Sequence, residues 1–277
     1  MTDLSADREE AVPGAPATSG APVGLVIDWG GVLTGSLDAA MSAWAHRDGV
    51  DYSAFRDVLR QWVGRRAGDD APTDPVTGDP VTGDPVTGNP VTGEANGARG
   101  ASVAELEQAS DAGPAGDSPM HRLERGEMET VEFERELAAE LAIRGSHVPP
   151  EGLLARILAG LAELDPRMVD LVRRARATGL RTALLSNSWG LHYPEALWDG
   201  LFDAVVISGE VGMRKPELEI FHYTAHRLRL PPGRCVMVDD LPHNFAGAVA
   251  AGMVGVLHRS YDETLLELEA LFEVVLG

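Results

Sequence analysis

The stretch VIDWGGVLTGS, residues 26–36, sets a carboxylate directly behind an apolar run. Val26 and Ile27 lead into Asp28, and Gly30 and Gly31 follow almost at once. An acid at the tip of a strand, with two glycines to turn the chain sharply behind it, is placed to meet a ligand. Three further segments end the same way. RTALLSN closes on Ser186 and Asn187, and RCVMVDD closes on Asp239 and Asp240. GEVGMRKPE sets Lys215 just before a helix expected to start near Pro216. Taken singly, these are a helix cap, a turn hydroxyl, a solvated lysine and a loop cap. Taken together they are a nucleophilic carboxylate, a hydroxyl donor, a cation and a paired acid site for a divalent metal.

Those groups need a frame. VGLVI (23–27), RTALLSN (181–187), AVVISG (204–209), RCVMVDD (234–240) and VGVLHR (254–259) read as five strands. Helical spacing runs through 36–49, 51–64, 122–143, 149–164, 165–179, 215–228 and 244–252. In 122–143 the expected apolar stripe is Val131, Phe133, Leu137 and Leu141. Apolar strands alternating with helices predict an α/β fold: a Rossmann-like, mainly parallel five-stranded sheet with helices on both faces. In such sheets the ligand crevice lies beyond the carboxyl ends of the strands, where the four polar segments end.

The chain has 277 residues, 44% hydrophobic and 24% charged, which is enough for a large domain and a small accessory one. A net charge of −20 repels nucleic acid and anionic lipid, so neither is expected as a partner. The single cysteine, Cys235, allows no intrachain disulfide and sits in an apolar run as a small buried residue. No apolar run approaches the length of a membrane span and no secretory signal is seen, so a cytoplasmic protein is expected. Residues 1–21 read as a disordered tail. Residues 74–93 repeat DPVTG four times, the last unit as NPVTG, inside a segment 64–118 poor in large apolar residues. Five residues are too few for a core-burying repeat, so this segment is read as a low-complexity insertion.

In order, the strand-end segments resemble the motifs of the haloacid dehalogenase-like hydrolase superfamily. Asp28 resembles its nucleophile, Ser186 the hydroxyl of its second motif, Lys215 its lysine and Asp239–Asp240 its acids. GMRKPELEIF and VDDLPHNFAGAVAAG carry the resemblance most specifically, and LERGEMETVEF resembles part of the family's helical cap. The resemblance implies a core of 22–35 and 165–277, with a cap at 36–164 interrupted by the insertion. It implies Mg²⁺ held directly by Asp28, Asp240 and the Gly30 carbonyl, with Asp239 acting through water. It implies substrate contacts at Asn187 and Gly31, support from Asn244, and an aspartyl phosphate formed from a small phosphorylated metabolite. A homodimer is left open.

One position departs from the pattern. Phosphatases of this superfamily usually carry a second aspartate two residues after the nucleophile, to protonate the leaving group. Here Gly30 stands in that place. His243 and His46 are candidates to replace it by their ordinary pKa. Two other readings stay open: a dehalogenase, whose halide leaves without a proton and without metal, and a non-catalytic phosphate-binding domain.

Overall fold

The computed structural model describes residues 20–64, 118–161, 163–189, 193 and 200–277. The expected tail, but for its last two residues, and the DPVTG segment therefore lie outside the described residues. Five strands make one parallel sheet: β1 Gly24–Ile27, β2 Arg181–Ser186, β3 Ala204–Ile207, β4 Cys235–Asp239 and β5 Val254–Leu257. Their spatial order is β3-β2-β1-β4-β5. β1 thus stands between β2 and β4, where the order reverses, and this is the position at which an open parallel sheet forms its crevice.

The two-residue period of a strand sorts the sheet's side chains. Leu25, Ile27, Leu184, Val236 and Val238 face one side, against α6 (Pro166–Ala177) and α10 (Tyr261–Phe272). Val26, Ala183, Leu185, Cys235 and Met237 face the other, against α8 (Leu218–Arg227) and α9 (Pro242–Ala250). Cys235 is buried as expected, and burial pushes its thiol up to about 11.

The connection from β1 to β2 carries a third core. α1 (Leu37–Asp48), α2 (Tyr52–Gly64), α3 (Pro119–Glu124), α4 (Thr130–Ile143) and α5 (Leu153–Ile157) pack around Trp44, Phe55, Trp62 and Phe133. Trp44 meets Phe55 edge to face with ring centres 5.3 Å apart, and Trp62 meets Phe133 at 5.3 Å. Such pairs add to the burial of large rings.

Several boundaries differ from those expected. The helix read over 122–143 is broken into α3 and α4, because Gly126 has φ +72° and lies against the Gly209 carbonyl. A side chain there would collide with that backbone. Val131 drops out of the apolar stripe and is 54% exposed, while Phe133, Leu137 and Leu141 stay buried. The helix read over 149–164 is α5 followed by a 3₁₀ turn, Leu158–Leu161. Ser208 and Gly209 start a short helix, α7 (Ser208–Val211), rather than extending β3. α8 begins at Leu218, not at Pro216. A further helix, α10, follows β5 beyond the elements expected, and Ser260 caps it by accepting from Glu263 N at 3.3 Å. Among the described residues no helix is long and apolar enough to cross a membrane.

Candidate active site

β1 ends on Asp28, which is 6% exposed and whose Oδ1 accepts from Trp29 N at 2.7 Å. The chain then turns through Trp29–Leu33, with Gly31 at φ +76°. A Cβ on Gly31 would fall inside the Asp240 carboxylate. Gly31 is therefore needed twice, for its backbone angle and for the room it leaves the neighbouring acid. Its N–H donates to Gly35 O at 3.1 Å, so its place here is steric rather than that of a donor toward substrate. Gly30 differs: it lines the cavity, and a Cβ there would meet nothing within 4 Å.

Lys215 is the centre of the site. It is 1% exposed, and its Nζ lies 2.8 Å from Asp28 Oδ1 and 2.6 Å from Asp239 Oδ2. Burial works against its charge, but the Asp239 and Asp28 carboxylates more than offset this and hold its pKa above the ordinary lysine value. One neighbour fixes the loop that carries it, through two bonds. The Asn187 side chain donates to Lys215 O at 3.1 Å and accepts from Lys215 N at 2.8 Å. Asn187, read as a substrate contact, thus ties the end of β2 to the lysine.

Asp239 is fully buried, with both oxygens occupied. Oδ2 takes Lys215; Oδ1 accepts from Leu241 N at 3.0 Å and from Asn244 Nδ2 at 3.1 Å. Asn244 therefore acts on the lysine through Asp239. Ser186 Oγ, at the end of β2, lies 2.8 Å from the Tyr193 hydroxyl. Tyr193 also meets Trp29 edge to face, and burial pushes its phenol up to about 12.

Asp28, Asp239 and Asp240 each bring a carboxylate oxygen within 4.8 Å of the others. Three acids around one ammonium leave the cluster short of positive charge. The carboxyls respond accordingly. Burial raises Asp28, and burial with the charges of Asp239 and Asp28 raises Asp240 to about 8. An all-oxygen set of this kind, buried and electron-rich, fits a hard divalent cation such as Mg²⁺.

Above these groups is a cavity of about 610 Å³, counting the part open to solvent. Its walls include residues the sequence reading passed over: Trp29, Leu37, Glu124, Leu158, Leu161, Trp189, Tyr193, Arg214 and Leu241. Four of them stand inside the motifs: Trp29 in VIDWGGVLTGS, Glu124 in LERGEMETVEF, Arg214 beside Lys215 and Leu241 in VDDLPHNFAGAVAAG. Arg214 Nε donates to Glu124 Oε2 at 2.5 Å, and Trp189 Nε1 donates to Glu124 Oε1 at 2.9 Å. Of the two histidines considered as proton donors, His243 lines the cavity and burial lowers it to about 4, so it is neutral near pH 7. His46 is exposed in the last turn of α1, and it does not line the cavity.

Fold and site together define an α/β protein with an acid–lysine centre at the switch point of a parallel sheet. A family model for hydrolases, haloacid dehalogenase-like hydrolase, matches residues 24–252, and the chain belongs to that family. It is 28% identical over 158 residues to a sesquiterpene phosphatase of Aspergillus oryzae, covering 54% of this chain and 77% of that one. It is 45% identical over 53 residues to the N-acylneuraminate-9-phosphatase of Homo sapiens, covering 19% of this chain and 21% of that one. A solved family enzyme from Bacteroides thetaiotaomicron shares the fold, with a TM-score of 0.52 at 18% identity, over 87% of this chain and 95% of that one.

Proposed function

We propose that the chain is a Mg²⁺-dependent phosphatase of small phosphorylated metabolites, working through an aspartyl phosphate on Asp28. The observation that carries this reading is the convergence of three carboxylates on one buried lysine at the floor of a cavity. A phosphate dianion and an aspartate repel each other, and a divalent cation, when bound, would offset that repulsion as a Lewis acid. Asp28, Asp240 and the Gly30 carbonyl would hold it, with Asp239 set back by its bonds to Lys215 and Asn244. Its relatives named as phosphatases support the same reaction.

Lys215 keeps the Asp28 carboxylate aimed and offsets charge on the transferring group. Ser186 donates to a phosphoryl oxygen; its partner Tyr193 orients that hydroxyl. Fixed donors of this kind usually supply the largest catalytic term. Asp28 attacks phosphorus, the ester P–O bond breaks, and water later hydrolyses the acyl phosphate. Gly30 gives no proton, so the leaving oxygen takes one from water. The helical layer of α1–α5 acts as the cap, since Leu37, Glu124, Leu158 and Leu161 wall the cavity.

The test is phosphate release from p-nitrophenyl phosphate with and without Mg²⁺. Release should need the metal and vanish in Asp28→Asn. Halide release from a haloacid that survives chelation would instead establish the dehalogenase. Binding of beryllofluoride without any turnover would establish the binding domain.

A further inference from the structure

We propose that the leaving group of this reaction is an uncharged alcohol built mainly of hydrocarbon, so that the substrate is the monophosphate of an apolar alcohol. The inference rests on the phosphatase reading and specifies its substrate.

Three features of the cavity carry it. First, among the described residues the lining contributed by the helical layer is mainly apolar. Leu37, Leu158 and Leu161 come from the helical layer, and Trp189 and Leu241 also line the cavity. A polyol pressed against leucines would lose its hydrogen bonds to water and regain none. Among the described residues the acid in that layer's wall is Glu124, and both its oxygens already accept, from Arg214 and Trp189, so it is committed to the protein rather than to a sugar hydroxyl.

Second, among the described residues both cations that line the cavity, Lys215 and Arg214, already have partners. Lys215 is held between Asp28 and Asp239. Arg214 is paired with Glu124, the two side chains being 5% and 3% exposed. A second phosphate or a carboxylate on the substrate would therefore meet an electrically balanced wall. This argues against bisphosphates and phosphorylated acids.

Third, Gly30 leaves open space beside the nucleophile. A Cβ there would touch nothing within 4 Å, so the first carbons of a bulky leaving group have room where a side chain would otherwise stand. Each methylene buried in such a pocket contributes roughly a four-fold gain.

The experiment uses the full chain with Mg²⁺ and compares kcat/KM for 3-methylbutyl phosphate, glycerol 3-phosphate and fructose 1,6-bisphosphate. p-Nitrophenyl phosphate serves as the common reference. The first two substrates release primary alkoxides, and the glycerol oxygen is the better leaving group, so chemistry alone favours the polar substrate. The expected result is at least a 50-fold preference for 3-methylbutyl phosphate. Leu37→Asn, checked for folding by thermal unfolding, should narrow that ratio at least five-fold; Leu241→Asn should do the same on a half-buried wall position. A ratio near one, a preferred bisphosphate, or folded variants that leave the ratio unchanged would overturn the proposal. If p-nitrophenyl phosphate is cleaved while the ratio is inverted, only the leaving-group inference fails. If it is not cleaved at all, the phosphatase reading fails and takes this proposal with it.

Discussion

Gly30 and Gly31 are adjacent and do opposite things. Gly31 is a steric necessity, with φ +76° and the Asp240 carboxylate lying where its Cβ would be. Gly31→Ala should push that acid out of the cluster and cut Mg²⁺-dependent turnover at least 100-fold, with Mg²⁺ affinity by calorimetry falling too. Wild-type affinity in this variant would show that the Asp240 position is not critical. Gly30 has no such constraint: its φ of −70° suits any residue, and its Cβ direction is open. Gly30→Asp should therefore fold normally and place a carboxyl beside the leaving oxygen. General acid help is typically worth about 10²–10⁴ in rate. The variant should raise kcat by about ten-fold or more on methyl phosphate, whose leaving group is too small to need the open space, and much less on p-nitrophenyl phosphate, whose leaving group needs no proton. Equal effects on both would argue that the new carboxyl does not reach the leaving atom.

The elements that bring these residues together were legible to different degrees. Every strand was readable, because a strand buried on both faces is a short continuous apolar run, as in GLVI of β1 and CVMVD of β4. The strand-end polar groups followed from that, and Asp28, Lys215 and Asp239 do meet. The helical layer was less legible. Its breaks depend on tertiary contacts, such as Gly126 against Gly209, that no local pattern records. The Glu124–Arg214 pair was invisible for the same reason: it joins groups 90 residues apart on α3 and the loop before α8. α3 is tied to the sheet domain by this pair, by Ser208 Oγ donating to Glu124 O at 2.5 Å, and by Arg125 bonding Glu217. Removing one partner of a buried pair leaves a charge uncompensated and costs about 3–5 kcal/mol. Glu124→Gln should lower thermal stability by that order and loosen the helical layer, read as faster amide exchange in α3 than in β1 or β4. An unchanged melting temperature would mean that the pair has no structural weight.

At the scale of the whole molecule, α3 is the seam between the helical layer and the sheet domain, held by the Glu124–Arg214 and Arg125–Glu217 pairs, and His121 of α3 is buried. It is 4% exposed, and among the described residues neither ring nitrogen has a hydrogen-bond partner. Burial first, then the charges of Arg214 and Arg125, lower its pKa to about 4, while Glu124 and Glu217 pull the other way. The consequence for stability has a definite sign. Above pH 6.5, the ordinary histidine value, neither the folded nor the unfolded chain binds a proton at this site, and the full stability is present. As the pH falls below that value the unfolded chain takes up a proton and the folded chain does not, so stability is lost until the folded ring titrates near 4. The loss between those two values reaches about 3 kcal/mol. His121→Leu keeps the volume and removes the proton site, so denaturant midpoints measured from pH 7.5 to 4 should decline less steeply in the variant than in the wild type. Parallel declines would show that the acid sensitivity of the seam resides in other groups, and that His121 is buried there without governing how the two halves of the molecule hold together.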